Sequence, residues 1–482
     1  MMKIYNALDG GAVVIGPLML DRYIKCQVCK IDQASSAPVG MVTSISGCLG
    51  GAGNVVANLR ALGVPTGILS FVGADDAGKE VTALLDVADV EQRVYTMDTT
   101  TTCVKSRLVD EKNTIFCRFD SEPPALKSEI IDTTFMPVLD KMVGDKRPGV
   151  IVLSDYNKGI ITPAIAHKAI KIANTLGMFS IVDPSPAHFS WYDGATIITP
   201  NLAEACEMTG LPLDADPFEV AKSVLDSVAC ENALVTAGAE GMFLVSQTRA
   251  YKSRHYPAIG GAALDTTGAG DTVVAGVVSG IYAEKDIVDA VEFAGNAAGV
   301  VVQKAGTTVA EPYEIFKLAG QVKSTSKIVS LKTAVKLASA ARKNDVKIAV
   351  TNGIFDLLHR GHLTLLEGAS KAADFLIVLV NSDAGARQVK GKEPIQNEKM
   401  RAEMLACYPQ VDLIVVFSEN TPKEAIKVLQ PNVLVKGSDY TTETVVGSNM
   451  VSGWGGVVKI IKGDKDSTSR IIKRVLSKRK TK

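Results

Sequence analysis

The octapeptide DTTGAGDT, at residues 265–272, sets a Gly-Ala-Gly turn beside a carboxylate, and small apolar residues follow it. Backbone N–H groups in a glycine-rich loop at the start of a helix form a cradle for an anion such as phosphate. Asp271 would repel that anion, but it suits a general base that deprotonates a hydroxyl aimed at the phosphate. The alternative is an ordinary helix start with an acidic residue in its first turn. The octapeptide alone does not decide between the two.

A second candidate site is HRGH at 359–362, which contains two of the five histidines. At the start of a helix, positions i and i+3 share a face, so both rings can meet one ligand. A metal pair is one interpretation. No cysteine or further histidine lies nearby to complete a zinc site, and the pair follows a strand and a glycine-containing turn. The pattern therefore favours stabilisation of a phosphate.

The elements that must position these residues alternate between short β-rich runs and helical stretches. AVVIG (12–16) and FSIVDP (179–184) are such runs, and PAIAHKAIKIANTLG (163–177) is such a helix. This rhythm predicts βαβ units around a largely parallel sheet, hence an α/β fold. A polar stretch at 320–330 interrupts it, and the pattern then starts again. We expect a first domain at 1–322, a linker at 323–330 and a second domain at 331–482.

Composition narrows the class of protein further. The 482 residues include 52 Lys and Arg and 52 Asp and Glu, so no bulk charge favours nucleic acid or an anionic membrane. The start of the chain lacks a signal-peptide apolar core, and no uncharged run is long enough to span a membrane. Eight scattered cysteines fit reduced thiols. We expect a cytoplasmic protein that binds neither nucleic acid nor membrane.

Five motifs in order resemble the ribokinase-like sugar kinase family over about residues 10–315: GGAGNVVANLRALG, VGADDAG, SDYNKG, TPNLAE and DTTGAGDT. The resemblance implies an α/β/α sandwich with a small β lid. It implies Asp271 as catalytic base, with the amides of Gly268, Ala269 and Gly270 stabilising transition-state charge. It also implies that Asn201 and Glu204 help to hold Mg²⁺ indirectly, through water and phosphate.

The lid is expected around residues 23–43 and 102–119. Lys105, Arg107 and Arg118 lie there and are candidates for binding a second, non-reacting phosphate of the sugar; the alternative is ordinary charge on an exposed lid face. The resemblance implies further substrate-binding residues, namely Asp21, Gly50, Gly51, Asn54, Asp155 and Lys158. It also implies further nucleotide-binding residues, namely Thr236, Gly238 and Asn296.

The segment from about residue 345 to 475 resembles the cytidylyltransferase-like nucleotidyltransferase superfamily through GIFD, the HxGH motif and STSRII (467–472). A Rossmann-like domain is implied, in which a sugar phosphate attacks the α-phosphorus of a nucleotide and pyrophosphate leaves. His359 and His362 would act on the phosphates. The implied nucleotide-binding residues are Asn352, Gly353, Phe355, Asp383, Lys390, Lys436, Ser467, Thr468, Ser469 and Arg470.

The two domains in this order resemble the family of bifunctional heptose 7-phosphate kinases and heptose 1-phosphate adenylyltransferases, which make ADP-heptose for lipopolysaccharide core. ATP and sugar phosphates are then the expected ligands, with Mg²⁺ and no tightly bound organic cofactor, and a homodimer through the β lid. Pro17, Ser185 and Glu393 depart from the family pattern, the first where a sugar-contacting Asp is expected. A different sugar or nucleotide, such as CTP, and a non-catalytic sensor of these ligands therefore stay open.

Overall fold

The computed structural model describes residues 10–36, 38–111, 113–146, 148–248 and 253–462. The chain divides into two compact units, Met1–Ala310 and Glu311–Lys482. Residues 323–330, expected to be a linker, contain a short 3₁₀ helix and lie inside the second unit. The boundary at 322 stays a prediction. Within the described ranges, no helix is long and apolar enough to cross a membrane.

The first unit contains thirteen strands and eight α-helices among its described residues. The strands are β1 (Ala12–Ile15), β2 (Leu18–Ile31), β3 (Pro38–Gly51), β4 (Thr66–Gly73), β5 (Glu91–Met97), β6 (Cys103–Val109), β7 (Ile115–Ser121), β8 (Val150–Ser154), β9 (Phe179–Asp183), β10 (Ile197–Ile198), β11 (Asn232–Thr236), β12 (Met242–Ser246) and β13 (Arg254–Tyr256). The helices are α1 (Ala52–Ala61), α2 (Asp76–Val87), α3 (Ser128–Lys146), α4 (Pro163–Leu176), α5 (Leu202–Thr209), α6 (Pro217–Val228), α7 (Ala269–Tyr282) and α8 (Ile287–Val301).

Nine of these strands form the body sheet, in the order β13-β12-β11-β10-β9-β8-β1-β4-β5. The strands from β11 to β5 run parallel, and β12 and β13 add antiparallel partners at one edge. Alternate residues of β1 enter different cores: Val13 and Ile15 pack on one face, Ala12 and Val14 on the other. A sheet buried on both faces needs helices on both sides. The predicted α/β/α sandwich is confirmed.

The β lid is a separate four-stranded sheet in the order β3-β2-β6-β7. Its strands overlap the segments expected to form the lid, 23–43 and 102–119. The base of β2 is buried at Leu18 and Leu20, whereas the distal part of β3 leaves Met41 and Ile45 largely exposed. The lid therefore has an anchored base and an apolar outer part.

The second unit contains α9 (Pro312–Val322), α10 (Leu331–Lys343), β14 (Ile348–Gly353), α11 (Arg360–Ser370), β15 (Phe375–Asn381), α12 (Asp383–Lys390), α13 (Glu398–Ala406), β16 (Leu413–Phe417), α14 (Lys423–Leu429), β17 (Val433–Gly437), α15 (Ser448–Gly453) and β18 (Val457–Ile461). Its sheet has the order β16-β15-β14-β17-β18, and all pairs are parallel. The chain leaves β14 towards β15 and later returns to β17 on the other side. Ligands of such Rossmann-like sheets bind in the crevice at this switch point.

Candidate active sites

The first candidate site is built on the start of α7. Gly268 precedes the helix with a φ of 79°, and an added Cβ there would lie 2.5 Å from Asn54 Nδ2. Glycine is therefore required for the carboxylate of Asp271 to meet Asn54. Asn54 Nδ2 donates to Asp271 Oδ2 at 2.8 Å, and the hydroxyl of Tyr156 donates to Asp271 Oδ1 at 2.5 Å.

Electrostatics suit the carboxyl of Asp271 to accept a proton near neutral pH. The residue is 6% exposed, and burial raises the pKa of its carboxyl to about 6, although the hydrogen bonds from Tyr156 and Asn54 oppose the rise. A carboxylate with a pKa near the working pH accepts a proton efficiently. The geometry supports the general-base prediction for Asp271.

The three backbone amides predicted to form the anion cradle differ in their present bonding. The amide of Ala269 donates to the carbonyl of Thr266 at 3.2 Å. Among the described residues, no acceptor is found for the amides of Gly268 and Gly270, and the space beside Gly270 is open. The open amides at the positive end of α7 are therefore those of the two glycines.

At the base of the lid, Asp21 is committed to protein partners. Arg107 Nη1 donates to its Oδ1 and Thr307 Oγ1 to its Oδ2, each at 2.8 Å. Gly50 lies against this carboxylate, because an added Cβ would be 2.8 Å from Oδ2. Gly51 has a φ of 58° and approaches Pro17. Asp21 and Arg107 are both buried, so this ion pair joins two lid strands and leaves Arg107 less available to a phosphate than its sequence position suggested.

The other cations predicted to bind substrate, which are Arg118 and Lys105 in the lid and Lys158 after β8, differ in whether a carboxylate pairs with them. Arg118 donates two hydrogen bonds to Asp120, and Lys158 Nζ lies 2.6 Å from Glu122. Lys105 forms no ion pair with a described residue. Its ammonium lies 5.5 Å from the ring centroid of Tyr156, and its charge lowers the pKa of Asp271. Among the described residues, Lys105 is thus the predicted lid cation that has no ion-pair partner and lies close to Asp271.

A group of carboxylates surrounds Asp271. Both carboxylate oxygens of Asp155 already have hydrogen-bond partners. Tyr192 donates to Oδ2 at 2.5 Å, and His188 Nδ1 lies 2.7 Å from the same oxygen. The amide of Asn157 donates to Oδ1. Burial, with repulsion from Asp271, Glu204 and Asp155, holds the pKa of Asp183 well above its ordinary value. No role for Asp183 or Tyr156 was predicted from the sequence, although both lie at the carboxyl ends of adjacent strands.

The predicted nucleotide residues of this unit lie at one end of the sheet. Asn201 and Glu204 form a reciprocal cap on α5: Glu204 N donates to Asn201 Oδ1 and Asn201 N to Glu204 Oε2, each at 2.9 Å. Asn201 forms a bridge with Thr236, and Gly238 follows with a φ of 54° and open space beside it. Asn296 is buried on α8, and its Oδ1 has no hydrogen-bond partner in the described part of the chain.

Asn201 and Glu204 are also the residues that the family resemblance implies for holding Mg²⁺ indirectly. In the described ranges, no three Asp, Glu, His or Cys side chains are grouped to hold a metal alone. Mg²⁺ usually keeps water ligands and binds one or two carboxylates together with substrate phosphates. Glu204 uses only one carboxylate oxygen in its cap, and burial raises its pKa. This donor set fits a metal that arrives with ATP.

The second candidate site lies at the carboxyl end of β14, where the chain passes through Phe355 (φ 52°) to the HxGH motif. His359 precedes α11, and its ring stacks on that of His362 with 3.9 Å between centroids. Phe355 packs against His362 with 5.2 Å between centroids. Burial, assisted by His359 and Lys390, lowers the pKa of His362 to about 4. His362 is therefore a neutral imidazole at pH 7.

A buried arginine that no sequence motif indicated fixes the loops around this motif. Arg401 is fully buried and donates to Asp383 Oδ1 at 2.7 Å, to the carbonyl of Ile354 at 2.5 Å and to that of Gln396 at 2.9 Å. The predicted nucleotide residue Asp383 therefore holds Arg401. Because Ile354 immediately follows β14, this arginine links the HxGH loop to α12.

Other predicted residues of this unit have clear positions. Lys436 is buried and donates to the carbonyl of Asn352 at 2.9 Å, next to Gly353 at the end of β14. Lys390 is exposed at the end of α12. Glu393 forms an ion pair with Arg387. The predicted residues Ser467, Thr468, Ser469 and Arg470 lie outside the described residues.

Two family models match the chain. Residues 11–314 match the pfkB family carbohydrate kinases, and residues 350–474 match the cytidylyltransferase-like family. Among solved structures, phosphofructokinase-2 from Escherichia coli in complex with potassium superimposes with a TM-score of 0.55 at 18% identity, covering 65% of this chain and 99% of that one. Ribokinase from Thermotoga maritima gives 0.50 at 20% identity, covering 64% and 99%. These likenesses confirm the ribokinase-like fold.

Relatives of the whole chain carry the name bifunctional protein HldE. The relative from Paramagnetospirillum magneticum is 37% identical over 471 residues, covering 96% of this chain and 95% of its own. That from Caulobacter vibrioides is 38% identical, with 96% of each covered, and that from Pelobacter propionicus is 36% identical, covering 99% and 98%. The chain therefore belongs to the bifunctional HldE family and joins a heptose-phosphate kinase to an adenylyltransferase, as the sequence predicted.

Proposed function

We propose that the first unit phosphorylates the anomeric hydroxyl of heptose 7-phosphate, with Asp271 as the general base. The observation that carries this proposal is a buried carboxylate between Asn54 and Tyr156, behind a glycine whose Cβ would clash. Asp271 takes the hydroxyl proton, the oxygen attacks the γ-phosphorus of ATP, and ADP leaves. The amides of Gly268 and Gly270 stabilise the charge on the transferring phosphoryl group.

Lys105 is the proposed contact to the phosphate that does not react. It extends from lid strand β6, pairs with no described carboxylate and lies near Tyr156. Asn201 and Glu204 would hold Mg²⁺ through water and phosphate, and the bound metal would neutralise charge on the β- and γ-phosphates. Arg107 has a positioning role, because its guanidinium holds Asp21 at the lid base.

In the second unit, the phosphate of heptose 1-phosphate attacks the α-phosphorus of ATP. A new P–O bond forms, the bond from the α-phosphorus to the bridging oxygen breaks, and pyrophosphate leaves with ADP-heptose as product. His359 and His362 donate hydrogen bonds to the phosphates as charge builds up on them. Arg401 and Asp383 hold the loop that presents both rings.

The experiment that tests both assignments measures ADP release from ATP with a panel of sugar phosphates, then pyrophosphate release from each NTP with sugar 1-phosphates. We expect heptose 7-phosphate to be preferred in the first assay and ATP with heptose 1-phosphate in the second. A preference for CTP would contradict the adenylyl assignment and leave the fold intact. Binding without turnover in either assay would favour the sensor.

The proposed partner of the lid is a second copy of the chain. Met41 and Ile45 are 61% and 63% exposed on β3, and exposed apolar residues on a sheet favour association. A double substitution of these residues by glutamate should convert a dimer to a monomer in light scattering. Val87→Glu on α2 is the control, since Val87 is equally apolar and 86% exposed. A wild-type monomer would contradict the proposal.

A further inference from the structure

Lys436 is a buried cation at the switch point of the second sheet. It lies on β17, directly beside β14, and its side chain is only 7% exposed. Its ammonium donates to the main-chain carbonyl of Asn352 at 2.9 Å and lies 4.8 Å from the ring centroid of Tyr440. The lysine therefore lies at the end of the sheet where the nucleotidyl transfer takes place.

This ammonium has no counter-ion in the described part of the chain. Among the described residues, no carboxylate forms an ion pair with Lys436, and burial lowers its pKa to about 8. An ammonium has three N–H donors, and the carbonyl of Asn352 takes one. The side-chain oxygen of Asn352 is also buried and has no hydrogen-bond partner among the described residues. Buried polar groups without partners are costly, so this pair indicates a polar ligand that completes their bonding.

The order of the sheet indicates which ligand this is. β15 and the helix after it, with exposed Lys390, lie on one side of β14, and Lys436 lies on the other. The charge of Lys390 acts on His362, and the histidine pair lies at the start of α11, directly after β14. In a displacement at phosphorus, the attacking and leaving oxygens are roughly in line on opposite sides. Lys436 lies across β14 from Lys390, which is a predicted nucleotide residue, so Lys436 suits the attacking group.

We propose that Lys436 binds the phosphate of the acceptor sugar 1-phosphate and so holds the attacking oxygen in place. This inference rests on the proposed adenylyl transfer and deepens it. Lys436 was expected to contact the nucleotide; the geometry assigns it to the acceptor, and the nucleotide phosphates to His359 and His362.

The test uses the full-length chain with Lys436→Met, which keeps the length of the side chain and removes its charge. Lys436→Arg restores a charge, and Lys459→Met on the adjacent strand β18 is the control, because Lys459 is exposed and pairs in register with Val435. Pyrophosphate release is measured while heptose 1-phosphate and ATP are varied separately. We expect KM for the acceptor to rise about 10- to 100-fold in Lys436→Met, as for the loss of a hydrogen bond to a charged group.

KM for ATP should change by less than about threefold, and Lys436→Arg should recover part of the acceptor affinity. The melting temperature of Lys436→Met should equal or exceed that of the wild type, because an uncompensated buried charge has been removed. A lysine with a purely structural role would give a lower melting temperature instead. Inorganic phosphate, used as a probe, should raise the melting temperature of the wild type more than that of Lys436→Met.

An unchanged KM for the acceptor, or an equal rise in both KM values, would overturn the assignment of Lys436 while the wild type stays active. Absence of pyrophosphate release by the wild type with every sugar 1-phosphate would instead remove the proposed transfer, and the acceptor role with it. The two failures are therefore distinguishable.

Discussion

The substitution Tyr156→Phe tests the general-base account of Asp271 through the pH dependence of the kinase. The phenol donates to Asp271 Oδ1 at 2.5 Å, and this hydrogen bond opposes the rise in pKa that burial causes. A hydrogen bond to a charged group contributes about 1.5–3 kcal/mol. One pKa unit corresponds to about 1.36 kcal/mol. The pKa of Asp271 should therefore move from about 6 to about 7–8 in the variant.

The direction of the change in kinase rate follows from the protonation state of Asp271 that the reaction needs. The base must be ionised, so kcat/KM for the sugar phosphate rises with pH through the pKa of free Asp271 and then levels off. At pH 6.5, Tyr156→Phe should be about 3- to 25-fold slower than the wild type, and near pH 9 the two should converge. Tyr156 itself does not titrate in this range, because burial and the nearby carboxylates raise the pKa of its phenol well above the ordinary value.

The assay is ADP release from pH 5 to 9 at constant ionic strength, with the second unit idle because its acceptor is absent. Tyr95→Phe is the matched control: this tyrosine packs with Phe71 and Phe135, away from the site, and should leave the profile unchanged. An unshifted acid limb in Tyr156→Phe would refute the reasoning. A decrease in kcat/KM by the same factor at every pH would also refute the reasoning, because it would indicate misplaced substrate rather than a changed pKa.

Three further predictions concern the second unit. Because the pKa of His362 is about 4, kcat/KM for ATP should stay level between pH 6 and 8. A rise in kcat/KM as the pH falls through about 6.5 would indicate an imidazole that is protonated in the ordinary range. The free energy of unfolding by urea should be greater for a fragment 311–482 than for 331–482, by about 2 kcal/mol or more, because Tyr313 and Phe316 of α9 pack on the core of this unit. Equal urea midpoints for the two fragments would contradict the unit boundary. Glu393→Arg should tighten ATP binding only about 2- to 5-fold at low salt, because Glu393 is half-exposed and paired with Arg387, and calorimetry at high salt should show the gain fading.

The architecture could be predicted from the sequence because local patterns determine it. Apolar runs such as those at β1 and β15 alternate with helices, and this rhythm specifies parallel α/β sheets whatever the detailed packing. The start of α7 could be predicted in the same way, since Gly268 adopts the left-handed conformation that few other residues tolerate. Asp271 follows in the first turn, so its position depends on local sequence alone.

Pairings between distant segments could not be predicted. Arg107 was one of three candidates for a phosphate contact, and its pairing with Asp21, 86 residues away in the sequence, had no signal in the local pattern. Tyr156 reaches Asp271 across 115 residues. Arg401 has no motif that would identify it, since a buried arginine is recognised only from the carbonyls and the carboxylate around it. Such contacts depend on the tertiary arrangement of loops, which spacing along one chain does not encode.

The central claim is that one chain carries two separate chemistries, and a crossed comparison of two variants tests it most directly. Asp271→Asn and His362→Ala are made in the full-length protein, and ADP release with heptose 7-phosphate is measured beside pyrophosphate release with heptose 1-phosphate. We predict that Asp271→Asn loses about 10²-fold or more of the first activity and keeps the second, and that His362→Ala does the reverse. Kinase turnover of Asp271→Asn within a few-fold of the wild type, or loss of both activities in either variant while it stays folded, would contradict the account.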